Sequence, residues 1–370
     1  MRFSIHSNEL QRALNIAGGV IPTKSTLPIL ENFLFELAKD NLTITATDLD
    51  TSISITVNVK NASGGKAIIP AKKIIETVRA LSNTEVSISS ENDGNKIVMK
   101  TENGEYKLSC EASDNYPTIP SFKATEELKI NNETLKRLIN KTSFAVSSDE
   151  LRPAMMGVLL QMKKNEIRAV ATDGHRLVRI VNSSFSSKGE REVIIPSKAL
   201  VLALKSFENT DTTLSFNDSH VMFSMGSVTL ISRMIEEKYP NYESVIPIDN
   251  DKKLVVDKEQ LIASVRRTAL YASSTTHQVR FTLKKGSLAV SAEDIDFGSE
   301  AKEMLNCEYS SDPMEIGFNA SYVVDILSHI DTNEVLIMLS TPTRACIIKP
   351  TDQHSAENLL MLVMPVRLNT

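Results

Sequence analysis

Hydrophobic positions along this chain follow two periods. From Ser7 onward, Leu10, Ala13, Leu14 and Ala17 recur at i, i+3, i+4 and i+7, which places them on one face of a helix. The stretch after Asn131 repeats the device with Leu135, Leu138 and Ile139. Between such stretches apolar and polar residues alternate, the signature of half-buried strands. Turn chemistry separates the strands at Asp93-Gly94, Asn103-Gly104 and Asn217-Asp218-Ser219. "VSISSENDGNKIVMKTENGEYKLSC" therefore predicts three antiparallel strands in a meander.

The plan occurs three times. A strand leading into an amphipathic helix opens "FSIHSNELQRALNIAGGV", "LKINNETLKRLINKTSFAV" and "LVVDKEQLIASVRRTALYA", whose first helical leucines are Leu10, Leu135 and Leu261. A second helix follows in "AIIPAKKIIETVRAL", "VIIPSKALVLALKSF" and "EIGFNASYVVDILSHI", with Pro70, Pro196 and Phe318 in register. Between the two lie "LTITATDLD", "IRAVATDGH" and "LAVSAEDID", which align Asp48, Asp173 and Asp294. A period this long is domain-sized, so the repeat predicts three domains rather than a solenoid. The expected boundaries are 1–125, 126–250 and 251–370, with linkers near "PSFKATEE" and "PIDNDKK". Each copy reads as α+β, two helices packed on one face of a curved sheet of roughly eight strands.

The candidate chemistry is concentrated in "ATDGHRL", residues 171–177. Asp173 and His175 suit a general acid/base pair, or two metal ligands, or a turn at a strand end. The repeat bears on the choice, because the first copy keeps "ATD" at Asp48. The simplest reading is that Ala-Thr-Asp closes a strand while the aspartate bonds turn amides. What is particular to the second copy is "GHRL". A hydrolase built on Asp173 and His175 lacks a nucleophile or metal motif, and P-loop, G-x-S-x-G, H-E-x-x-H and C-x-x-C patterns are all missing. No catalytic residue, metal or cofactor is expected.

Composition narrows the setting. Hydrophobic residues make up 41% of the 370 positions, enough to build cores. No apolar run approaches the roughly 18 residues of a membrane span, and "MRFSIHSNEL" lacks the apolar core of a signal peptide. Three scattered cysteines, Cys110, Cys307 and Cys346, fit a reducing cytoplasm and give no zinc spacing. A net charge of −5 argues against a nucleic-acid partner unless positive charge is segregated. It is segregated by element. The six helical segments 7–18, 71–81, 132–145, 197–207, 257–271 and 319–330 together carry +6, leaving −11 on the remainder. Lys72, Lys73, Arg79, Arg137, Lys141, Lys198 and Lys205 supply much of this excess. Helices facing one common space would make it basic inside an acidic shell, suited to a polyanion.

Over its whole length the chain resembles the bacterial DNA polymerase III beta subunit, the replicative sliding clamp family. The resemblance rests on "TLPIL" (26–30), "RPAMMG" (152–157), "ATDGHRL", "YPNYESVIP" (239–247) and "MPVRL" (364–368), in this order. It implies a head-to-tail homodimer, a closed ring of clamp domains lined by helices, that encircles duplex DNA without sequence preference and performs no catalysis. As a processivity factor in the DNA polymerase III holoenzyme, such a ring tethers replicative polymerase, clamp loader and repair proteins through short peptides. The alternative is a divergent, non-replicative scaffold of the same fold that binds partner peptides. The implied peptide pocket comprises Met155, Thr172, Gly174, His175, Arg176, Leu177, Pro240, Val245, Leu362, Met364, Pro365, Val366, Arg367 and Leu368, flanked by Asn319 and Tyr322, with His175 and Arg176 as wall and rim. Methionines and apolar walls suit varied peptide side chains. DNA contacts are implied at Lys24 and at Lys72 or Lys73. The loop 149–154 departs from members that carry a glutamine and tyrosines there, having Asp149, Pro153 and Ala154 instead. The implied ring interface joins Tyr106 and Leu108 to Leu270 and Tyr271 of the other chain.

Overall fold

Among the described residues six α-helices form where the 3.6-residue periodicity places them: α1 (Ser7–Gly18), α2 (Ala71–Ala80), α3 (Asn132–Thr142), α4 (Ser197–Ser206), α5 (Lys258–Ala269) and α6 (Ala320–Ser328). This computed structural model describes residues 1–91, 96–110, 115–119, 122–187, 189–208 and 211–368. Helix α1 buries the expected stripe, Leu10, Ala13, Leu14 and Ala17. Side-chain caps start three of the helices. Asn131 Oδ1 accepts from Glu133 N ahead of α3, Asp257 from Gln260 N at α5, and Asn319 from Ser321 N and Tyr322 N at α6. Each cap satisfies amides that a helix start leaves without partners.

The chain packs as two units, residues 1–135 with 198–234 and residues 136–197 with 235–370. In the first, a five-stranded sheet runs Lys60–Ser63, Arg2–His6, Glu85–Glu91, Lys96–Lys100, Glu105–Ser109. Its last three strands are the expected meander. The Thr101–Gly104 turn closes one of its hairpins with a 2.9 Å bond, while the Asp93-Gly94 turn lies outside the described residues. An eight-stranded sheet completes this unit, in the order Glu126–Ile130, Thr212–Phe216, His220–Met225, Val228–Arg233, Thr51–Asn58, Asn41–Thr47, Asn32–Ala38, Gly65–Pro70. Val228–Arg233 pairs antiparallel with Thr51–Asn58, so strands of the first and second repeats share one sheet. Helix α1 lies on strands Asn41–Thr47 and Thr51–Asn58 and against α2. Phe3, Phe33, Phe35, Phe216 and Phe223 are fully buried, each worth about 1.5–3 kcal/mol of transfer free energy.

The second unit is built the same way. Its nine-stranded sheet runs Arg191–Pro196, Gly157–Lys163, Glu166–Thr172, Arg176–Asn182, Glu357–Val363, Cys346–Pro350, Glu334–Leu339, Lys252–Asp257, Glu308–Tyr309. Arg176–Asn182 pairs with Glu357–Val363 from Arg176↔Val363 to Asn182↔Glu357, joining the second and third repeats. A four-stranded sheet, Ser299–Asn306, Ser287–Asp294, Gln278–Lys284, Met314–Asn319, carries α5 beside α6. Among the described residues each repeat thus has two α-helices with eight or nine strands, and strands of neighbouring repeats share a sheet. Among the described residues no helix is long and apolar enough to cross a membrane.

Candidate functional site

The strand Glu166–Thr172 ends in a turn whose polar groups are consumed locally. Asp173 Oδ1 accepts from His175 N and Arg176 N, both at 2.9 Å. Thr172 Oγ1 donates to Arg176 O at 2.6 Å and accepts from Gly174 N at 3.1 Å. Gly174 has φ +90°, a conformation that side chains rarely tolerate. The equivalent aspartates do the same work, Asp48 for Asp50 N and Thr51 N and Asp294 for Asp296 N and Phe297 N. The aspartate is therefore a turn residue in all three repeats, as the sequence reading preferred. Among the described residues no cluster of three His, Cys, Asp or Glu side chains is placed to hold a metal.

Arg176 lines the site but its guanidinium is turned into the fold rather than onto the rim. It is buried and donates through Nε to Asp173 Oδ2 at 3.0 Å, through Nη1 to Asp325 Oδ2 at 2.5 Å and through Nη2 to Phe144 O at 2.8 Å. Its charge is thus compensated by two carboxylates. The guanidinium carbon lies 4.8 Å from the Tyr322 ring centroid and 5.3 Å from that of Phe144. His175 stacks on Tyr322 at 5.8 Å, and Phe144 on His329 at 3.8 Å. These planar groups tie helix α6 to the wall of the site. Their cation–π contacts are worth roughly 0.5–2 kcal/mol each.

Beside this wall is a cavity of about 740 Å³. Met155, Thr172, Gly174, His175, Arg176, Leu177, Pro240, Val245, Leu362 and Met364 all line it, from four separate stretches of sequence. Beneath them lies a core of Leu159, Val170, Leu177, Ile194, Tyr239, Tyr242, Ala345 and Leu362. Burial pushes the Tyr239 phenol upward, and it stays neutral. Burial also raises Tyr242, against the opposing pull of Arg168. The other expected pocket residues sit along the flank. Asn319 caps α6 and Tyr322 belongs to the stack. Met364 N donates to His175 O at 2.8 Å, and Val366 N donates to Gly317 O at 2.9 Å. A Cβ at Gly317 would meet Val366 O and Leu368 Cδ2 at 2.8 Å, so the glycine is what lets the tail approach. Pro365 is half-buried and Arg367 exposed on this same tail. Sequence reasoning missed Asn241, Tyr242, Glu243, Ser244, Ile246, Pro247, Ile248, Thr343, Arg344 and Ala345 in the lining. The first seven lie inside or next to the quoted "YPNYESVIP", whereas 343–345 form a loop with no periodicity to reveal it.

The basic residues divide into two sets, and here the charge count needs correction. Arg137 donates to Glu357 through Nε and Nη2, both at 2.7 Å, and to Asp331 at 2.9 Å. Lys141 is buried and donates to His329 O and Asp331 Oδ1, both at 2.6 Å. Both cations, expected to meet a polyanion, are instead paired with carboxylates of the third repeat, Lys141 buried and Arg137 partly so. Lys198 is exposed but pairs with Asp48. Lys24, Lys72, Lys73, Arg79 and Lys205 are exposed, all in the first unit.

Of the expected seam residues, Tyr106 and Leu108 lie on an open sheet edge, whereas Leu270 and Tyr271 follow the C-terminal end of α5. Glu105–Ser109 is the outer strand of the five-stranded sheet, and Ser299–Asn306 that of the four-stranded sheet. Tyr106 and Tyr271 are partly exposed, Leu270 is 82% exposed, and Leu108 is half-buried. Lys107 and Lys100 hold the Glu105 carboxyl below its ordinary range at the first edge. Arg267 pairs with Glu303 at the second, at 2.6 Å.

Three family models match the chain in tandem. They are the DNA polymerase III beta subunit N-terminal domain over residues 1–120, the central domain over 129–241 and the C-terminal domain over 243–367. The chain is 30% identical over 372 residues to the beta sliding clamp of Pseudomonas aeruginosa and 27% identical to that of Haemophilus influenzae, with all of each chain covered. Among solved structures it is similar to a DNA polymerase sliding clamp from Pseudomonas aeruginosa with ligand, at 29% identity and TM-score 0.91. It is also similar to a sliding clamp (DNA polymerase III subunit beta) from Bartonella birtlesii bound to griselimycin, at 27% identity and TM-score 0.93. Both alignments cover 100% of each chain.

Proposed function

The chain belongs to the DNA polymerase III beta-subunit family, the bacterial sliding clamps, and from that premise we propose how its own residues serve the function. It is a non-catalytic DNA sliding clamp. Two copies close head to tail into a ring of clamp domains, 1–125, 126–250 and 251–370 in each chain, around duplex DNA. Two open sheet edges favour this closure, since unpaired strands seek partners. The edge at 105–109 carries Tyr106 and Leu108, and Leu270 and Tyr271 lie near the edge at 299–306. Lys24, Lys72, Lys73, Arg79 and Lys205 meet the phosphates, while Lys198 is partly offset by Asp48. The cavity at His175 takes short peptides from replicative polymerase, clamp loader and repair proteins, with apolar walls as the main source of affinity. The observation that carries the reading is the ordered, full-length match to all three clamp domains.

The test is topological. Protein loaded on nicked circular DNA should remain through gel filtration and leave once the circle is cut. Direct affinity should be weak and salt-sensitive, in the nonspecific range of roughly 10⁻⁴ to 10⁻⁶ M. Equal retention on circles and on linear DNA with free ends would refute the proposal.

A further inference from the structure

One part of the pocket margin is not explained by the packing of the fold. Ile248 lines the cavity and is 98% exposed, more than any other large apolar side chain among the described residues. The segment carrying it is pinned on both sides. Ile246 packs against the core beneath the pocket, and its amide donates to Glu243 O at 3.3 Å. Pro247 restricts the backbone next to it. Asp249 pairs with Arg344 at 2.9 Å. Asn250 is buried and donates through Nδ2 to Met338 O and Ala345 O, each at 2.9 Å. The backbone therefore presents Ile248 outward while its neighbours are held in place.

A single exposed aliphatic residue is ordinary on a protein surface. Ile248 is not single. Val245, at 54% exposure, and Met364, at 39%, line the same cavity. The margin is thus an apolar continuation of the pocket, the kind of contiguous patch that marks a contact surface. Its charged flank, Asp249 with Arg344, is mutually compensated. Glu243, which also lines the cavity, is likewise paired, with Arg168 at 3.0 Å, so a charged partner side chain would find no uncommitted counter-ion, whereas an apolar one releases water from Ile248.

We infer that Ile248, beside Val245, forms an additional subsite that selects a bulky apolar residue in the partner peptide, flanking the part inserted in the pocket. This rests on the peptide-pocket reading above. The occupant is the peptide itself as it leaves the cavity, because Ile248 borders the same opening as the residues the inserted part touches.

A random short-peptide display library panned in parallel on the wild type, Ile248→Ser and Met364→Lys tests this. Wild-type selection should enrich a bulky apolar residue at one fixed position outside the inserted anchors. Ile248→Ser should lose that enrichment, keep the anchors, and bind the wild-type consensus peptide about tenfold more weakly. Alanine at the flanking peptide position should cost as much on the wild type and nothing on Ile248→Ser. Because the side chain is exposed, the substitution should leave melting unchanged. Peptides that require Met364 but ignore Ile248 refute the subsite alone. Peptides that bind Met364→Lys as well as the wild type refute the pocket, and the subsite with it.

Discussion

Replacing Arg137 with glutamine separates a phosphate-facing cation from a structural one. In sequence Arg137 looks like one charge on a basic helix. In the fold it grips Glu357, whose side chain is 3% exposed, with two 2.7 Å bonds. Removing one partner of a buried pair costs about 3–5 kcal/mol, because the remaining charge is left uncompensated. Arg137 itself keeps 25% of its side chain exposed, so solvent screening brings the expected loss down to about 2–3 kcal/mol. For a unit of this size each kcal/mol lowers Tm by about 2–4 °C, so calorimetry should show a fall of about 4–12 °C. The salt dependence of DNA binding should not change. A lost phosphate contact would reduce the slope of log K against log salt by about 0.9. The double variant Arg137→Met with Glu357→Met should recover most of the stability, since an apolar pair of similar volume leaves no buried charge. A reduced salt slope with an unchanged Tm would refute this reasoning and return Arg137 to the DNA surface.

Asp331 titrates below its ordinary value: burial opposes its ionisation, but hydrogen bonds from Lys141 and Arg137 outweigh that. Its contribution is therefore fully present above the unfolded pKa of about 3.9 and is lost as pH falls through the lower folded value; urea titrations from pH 6 to 2 should show Asp331→Asn losing that part of the acid dependence. Glutamate at both Leu108 and Leu270 should leave a folded monomer in sedimentation, and an unaltered dimer would place the seam elsewhere. Gly317→Ala should expel the tail, exposing the Val366 amide to hydrogen exchange and weakening peptide binding with little change in melting; unchanged protection at Val366 would contradict the close approach.

The repeat, the helices and the meander were legible because each is written in a local period: 3.6 residues, two residues, or a turn dipeptide. Nine of the residues that line the cavity were legible, since they lie in the short motifs that carry the resemblance. What could not be read was the pairing of side chains distant in sequence. Arg137 and Glu357 are 220 positions apart, and nothing in "TLKRLINK" marks which lysine or arginine faces a carboxylate. The direction of Arg176 was hidden for the same reason. Its partner Asp325 sits in the third repeat, 149 residues away, and the strand pairing that runs from Arg176↔Val363 to Asn182↔Glu357 joins those repeats. Residues 343–345 reached the pocket through the same sheet, without any pattern of their own.

This redistribution of charge bears on how such a protein slides. A helix contributes to a surface field only through side chains that reach solvent without a neutralising partner. With Arg137 and Lys141 tied to Asp331 and Glu357, and Lys198 paired with Asp48, the proposed attraction to phosphate would rest mainly on Lys24, Lys72, Lys73, Arg79 and Lys205. All of these are long, exposed side chains in the first unit. Flexible lysines exchange phosphates easily, because the ammonium is a point charge without the fixed fork of a guanidinium. A protein retained by encirclement needs no tighter grip, and a tighter one would oppose movement along the duplex. On the proposed function, pairing Arg137 and Lys141 internally would do two things together: tie the second repeat to Glu357 and Asp331 of the third, and leave the DNA-facing charge to shallow, exposed side chains.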